Sequence, residues 1–287
     1  MTKNKKEGLK KFFKEMVGLE DDVNTVLDSS TIEISRKITK AKTEYEMQRV
    51  MTGVVGGFIV NFTDVLKERN KNVAKISSET ELKEVEAYLK NVKGRTALLN
   101  KFRRQVSAYP QKEFERFMFR KFPIDKRTVG QRIKTLQGGA LKTARNVIYK
   151  GIQEGESADQ IAKSLIKYIR PEKIGDRLSP WSIYRDRFGR PKTFVPKEVP
   201  SGSVSYNAHR IARTEINETY RRTTIDLNKG KPWCNGFIWN LSGSHPKYDI
   251  CNKLAENSPY KDDSDIPDSH PNCLCHITID LIKPEEI

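Results

Sequence analysis

The first 208 residues of this chain contain neither a cysteine nor a histidine. Disulfides and thiolate or imidazole metal sites are thereby excluded from everything before His209. A long apolar run is missing too. The most apolar stretch, VMTGVVGGFIVNF at residues 50–62, is shorter than the ~20 residues needed to cross a bilayer. The start, MTKNKKEGLKKFFKEMVG, lacks the continuous apolar segment and small-residue cleavage site of a signal peptide. The expectation is a protein made in a reducing cytoplasm, without stable membrane insertion. Structural disulfides are disfavoured there, and clustered cysteines lean towards metal.

Acidic residues are scarce relative to basic ones: 37 Asp and Glu stand against 53 Lys and Arg, a net charge of +16 over 287 residues. The excess is uneven. Residues 206–287 hold ten cations and twelve acids, a net of −2, which leaves +18 on residues 1–205. A strongly basic portion favours a polyanionic partner, nucleic acid or an acidic surface. All four cysteines and all four histidines lie in the less charged end, from His209 onward. The two parts differ in chemistry, which predicts separate domains.

Apolar periodicity supplies the elements. Leu9, Phe12, Phe13, Met16 and Val17 repeat at helical spacing between lysines, the pattern of an amphipathic helix docked on its own domain or, alternatively, lying on a partner or membrane surface. Gly53, Gly56 and Gly57 interrupt the next apolar stretch and mark close helix packing or a turn. Leu82, Val85, Leu89, Val92 and Leu99 continue one stripe, predicting a long helix over about 78–107 that packs on helices near 111–121 and 138–153. Ser157 and Gln160 fit a capping box ahead of Ile161, Leu165, Ile166 and Ile169. Residues 171–205 are rich in proline, glycine and cations, so they read as a linker or arm. Trp181, Tyr184 and Phe188 lie there among Arg185, Arg187 and Arg190. That mixture stacks on bases or anchors an arm on protein, and both readings stand. Residues 206–228 read as one helix, and Phe237-Trp239-Leu241 and Ile277-Ile279-Leu281 as short strands. The fold class is mainly α: a helical basic region at 1–170, the arm at 171–205, and a small α+β unit at 206–287 with a helix, a short antiparallel sheet and a long loop.

That loop collects ligand-type side chains in two bunches, His245-Asp249-Cys251 and His270-Cys273-Cys275-His276. Cys251, His270, Cys273 and Cys275 form a candidate zinc set, with His245 and Asp249 as alternates. Buried free thiols packed as small hydrophobes are the competing reading. A catalytic ion with an open water position is a third.

The string HRIARTEINETYRRTT, then FIWNLSGSHPKYDICNKLA, then DSHPNCLCHI resembles the C-terminal domain of phage minor head proteins. The family is the Mu F-like head-morphogenesis family, in the branch with an SHPxxDIC…HPxCxC pattern. The likeness covers about residues 206–282. Many relatives carry Cys-x-x-Cys where this chain has Cys251 and Leu254. The resemblance implies a non-enzymatic virion protein inside the head, in the host cytoplasm during assembly, associated with the portal protein or inner capsid shell. It would assist assembly and DNA packaging or delivery, and no cargo domain is expected after the last strand. The +18 portion predicts non-specific contact with double-stranded DNA through Arg103, Arg104, Arg185, Arg187 and Arg190. A metal-dependent nuclease and a general DNA-binding protein are the alternatives.

Overall fold

The computed structural model describes residues 2–92, 94–122, 125–171, 183–185, 191–193, 202–242, 248–267 and 270–283. Among them the chain is mainly helical with one small antiparallel sheet near its end, as the sequence predicts. The order is α1 (Lys3–Ile38), α2 (Glu44–Tyr88), α3 (Arg95–Arg116), α4 (Val129–Gln153), α5 (Ala158–Ile169), β1 (Ile183–Arg185), β2 (Pro191–Thr193), α6 (Val204–Asn228), β3 (Cys234–Asn240), α7 (Ile250–Glu256) and β4 (His276–Leu281). β1 and β2 pair antiparallel within the arm. β3 and β4 pair antiparallel with Trp239 opposite Ile277 and Phe237 opposite Ile279.

Side-chain caps open the helices, at Ser157 as the sequence predicts and at other starts. Thr2, Thr43, Thr128, Ser157 and Ser203 each accept a backbone N–H at a helix start, and Ser157 with Gln160 closes a full capping box. In α1, Leu9, Phe12 and Met16 are buried, so that helix docks on its own fold. Two expectations need correction. The stripe from Leu82 to Leu99 does not belong to one helix: α2 ends at Tyr88, and Gly94, at φ +73°, turns the chain into α3. Both helices bury their share of the stripe in one core, so the spacing runs on across the break. Gly53, Gly56 and Gly57 neither turn the chain nor admit a neighbour. α2 passes through them unbroken, and a Cβ at any of the three would meet nothing within 4 Å. An 18-residue window of α2 reaches a mean hydropathy of 1.3 with a third of it buried; Met51, Val54, Val55, Phe58 and Phe62 supply core side chains.

Two cores hold the molecule, and neither stops at residue 205. One joins α1, α2, α4 and α5 to Val204, Ala208, Ala212, Ile216 and Tyr220 of α6. Phe12 and Tyr220 meet with ring centroids 4.5 Å apart. The other joins the end of α2 and all of α3 to Leu227, Trp233, the β3–β4 sheet and α7. There Phe102 meets Trp233 edge-on at 5.2 Å. α6 therefore lies between them, enclosed on most sides.

Enclosure explains its composition. Arg213, Thr214, Glu215, Asn217, Thr219, Arg221, Thr223, Thr224 and Asn228 are all buried in α6. Buried polar groups cost free energy unless each finds a partner. Arg213 Nε donates to Glu20 of α1 at 2.7 Å. Glu81 of α2 accepts from Thr224 at 2.9 Å and from Asn228 at 3.0 Å, and also pairs with Lys5. Glu215 pairs with Arg120 at 3.1 Å and with Arg132 at 2.6 Å.

Candidate metal centre

Three elements bring the ligand-type residues together. Asp249 opens α7: its carboxylate accepts the Cys251 N–H at 2.7 Å, and Asn252 answers in a capping box. A helix begun there holds Cys251 fully buried on its inner face. The turn before β4 carries the second bunch, with Asn272 at φ +64°. A left-handed residue reverses the chain sharply, and Asn tolerates that conformation better than most.

α6 fixes this turn. Asn217 Nδ2 donates to the carbonyls of Cys273 at 2.6 Å and Cys275 at 3.1 Å. The Asn272 N–H donates to Thr214 Oγ1 at 3.1 Å. The charged residues Glu215, Arg213 and Arg222 of α6 are not what holds this turn. Those charges serve other partners: Glu215 and Arg213 tie α6 to neighbouring helices, and Arg222 pairs with Glu218. Neutral Thr214 and Asn217 hold the loop instead. With Arg221 they follow i, i+3, i+7 spacing, and that polar stripe inside a helix was the signal available.

The result is a compact group. One ligand atom each from Cys251, His270 and Cys273 lies within 4.8 Å of the others, so these three side chains form a group able to hold a metal ion. The sulfurs of Cys251 and Cys273 are 3.5 Å apart. The Cys275 thiol interacts with both, and its N–H donates to Cys273 Sγ at 3.4 Å. Cys251, Cys273 and Cys275 are 0%, 3% and 2% exposed, so the sulfurs are shut away from solvent. At His270, Nδ1 lies 2.8 Å from the Pro271 carbonyl. Its Nε2 is buried without a well-aligned hydrogen bond, with Asp249 Oδ2 at 3.2 Å. The Pro271 carbonyl thus does the outer-shell work of orienting the imidazole, which leaves Nε2 as the nitrogen able to bind a metal, with the Asp249 carboxylate beside it as the alternate ligand. His276, at the start of β4, has both ring nitrogens buried and unpartnered among the described residues, and burial holds its pKa down at about 4. His245 lies outside the described residues.

Charge on the sulfurs is shared unequally. Contacts from the Cys251 and Cys275 thiols, then from His270 and Arg221, drive the Cys273 thiol strongly down against the cost of burial. Cys251 is pushed up, first by its contact with Cys273. His270 rises to about 9, first through Cys273. Three buried sulfurs sharing protons are an arrangement a divalent cation relieves, since a metal replaces shared protons with bonds to all the sulfurs.

The expected DNA-contact residues are scattered. Arg103 is engaged by Glu86 at 2.8 Å. Arg104 is exposed on α3 and enters no salt bridge among the described residues. Arg187 and Arg190 lie outside the described residues, and Arg185 is described only as part of the β1 backbone.

No family model, curated protein or solved structure matches the chain.

Proposed function

We infer that this chain is a minor head protein of a tailed phage, carried in the head interior beside the portal or inner shell, and that a zinc ion ties its loop. The observation that carries the reading is convergence. The resemblance rests on residues spread from Arg213 to Cys275, and Asp249, Cys251, His270, Cys273 and Cys275 among them meet in one place. α6 grips the 272–275 backbone through Thr214 and Asn217, and Asp249 links α7 to His270. Cys251, His270, Cys273 and Cys275 supply the sulfur and nitrogen donors that tetrahedral structural zinc takes.

A scaffold role fits better than catalysis. A catalytic zinc keeps one position open to water. Here the three thiols are enclosed, so an ion among them would serve the fold rather than a substrate. Assistance with assembly and DNA packaging or delivery follows from the resemblance, and non-specific DNA contact from the +18 on residues 1–205.

The test has two arms. Heads purified from infected cells should contain the protein protected from added protease, and its absence from purified heads defeats the phage reading. The purified protein should contain about one zinc equivalent, and Cys273→Ser or chelation should lower its melting temperature, because binding and folding are coupled in such sites. Metal-free protein with an unchanged melt under chelator rejects the zinc tie.

A further inference from the structure

A cavity of about 410 Å³ opens between α4, the end of α5 and α6. Its volume falls within the roughly 300–1,000 Å³ of small-molecule sites. Three guanidinium groups line it, from Arg127, Arg132 and Arg210, against the single carboxylate of Asp125. Arg132 is already committed. It donates to Glu215 Oε1 at 2.6 Å and to Asp125 Oδ1 at 3.1 Å, and it lies 4.0 Å over the Phe122 ring. Its Nε is buried without a partner. Arg127 and Arg210 are exposed and enter no salt bridge among the described residues. Asp125 and Glu215 both pair with Arg132, and Asp125 also lies near Arg127, so three cations face one lining carboxylate and positive charge is in excess.

The apolar side is equally specific. Phe122 and Leu136 are buried, Tyr168 is half-buried, and all three line the space. Gly139 lines it too, and a Cβ there would meet nothing within 4 Å. A glycine inside a helix costs ~0.5–1 kcal/mol relative to alanine. No neighbouring atom requires Gly139, which sits well inside the 25 residues of α4. A side chain at this position would enter the cavity.

We propose that this cavity binds a small organic phosphate, its phosphoryl oxygens held by Arg127 and Arg210 and its flat apolar body laid on Phe122, Leu136 and the gap at Gly139. Guanidinium matches phosphate with paired, charge-assisted hydrogen bonds, and two of them suit a dianion. The site adjoins the turn that carries the sulfur cluster, since Thr214 and Pro271 line it, but it takes none of the candidate metal ligands and does not depend on the phage reading.

Isothermal titration of the full chain with phenyl phosphate tests it. One saturable site is expected, and benzyl alcohol, which has the ring without the charge, should not compete. Arg210→Ala should weaken binding on the order of tenfold or more, the loss of a hydrogen bond to a charged group. Gly139→Leu should abolish binding while the circular-dichroism melt stays cooperative, because its side chain enters the cavity and not the core. Should Gly139→Leu fail to fold, the surface double variant Arg127→Ala/Arg210→Ala decides, with loss of binding expected. Absence of saturable phenyl phosphate binding, or undiminished binding in these variants, overturns the proposal.

Discussion

Glu215 stands between two arginines from different elements, Arg120 and Arg132, and its own side chain is 2% exposed. Glu215→Gln would take one of two carboxylates from each cation, leaving Arg120 with Glu113 and Arg132 with Asp125, so the expected loss is that of charge-assisted hydrogen bonds, ~1–3 kcal/mol. Denaturant unfolding measures it; a loss below ~1 kcal/mol would class the pair with exposed ones. Two other buried groups on the α1–α6 contact oppose each other with pH. Burial raises Glu20 from 4.5 to about 7, so its contribution is full below pH 4.5 and lost as pH rises through 7. Burial lowers His209 from 6.5 to about 3, so its contribution is full above pH 6.5 and fades as pH falls towards 3. Between 4.5 and 6.5 they partly cancel. Glu20→Gln should therefore lose stability more steeply than the parent on acidification from pH 7 to 4.5, and His209→Gln should gain it. Parallel curves for parent and variants would refute both assignments. Arg213 and Glu215 are two apart on a helix, a spacing at which side chains do not pair. The sequence did not show their partners, because Arg213 meets Glu20 across 193 residues.

Elements were legible where their signals are local. The capping box at Ser157 and Gln160 is contained within four residues, and it sits at the start of α5 as read. Breaks were harder. The apolar stripe continues from α2 into α3 because both helices face one core, and Gly94 was the residue that marked the turn. The glycines of α2 misled in the other direction, since a helix can carry glycine on an open face without bending. Their substitution separates the two cases. Gly53→Ala and Gly57→Ala should each raise stability by ~0.5–1 kcal/mol, because the new methyl meets nothing and the unfolded chain loses freedom. Gly94→Ala should lower it by ~1 kcal/mol, because φ +73° crowds a Cβ against the backbone. Thermal melts of the three variants check both signs; a stabilised Gly94→Ala would contradict the turn geometry.

At the scale of the molecule, α6 is the least legible part. Its polar composition and the −2 balance of residues 206–287 suggested a separate unit, yet its side chains belong to both cores. Apolar periodicity reports one-sided burial. A helix enclosed on most sides can bury polar groups provided each is paired, and pairing between distant residues leaves no periodic trace. The sulfur-and-imidazole group was legible because its members cluster in sequence, but not Thr214 and Asn217, which hold its backbone from α6. Chains ending at residue 203 should be recovered in the insoluble fraction, since Phe12, Met16 and Ile133 would lose the α6 side of their core. A soluble, monodisperse truncation would show that the first five helices close a core without α6.

The position of α6 also sets an order of events during synthesis. The helices that open the chain leave the ribosome long before the helix that completes their core. Phe12 waits for Tyr220, and Glu20 waits for Arg213. Folding of the nascent chain is thus deferred until α6 emerges, and a pause in translation before codon 204 would prolong the interval in which its largest apolar faces depend on chaperones.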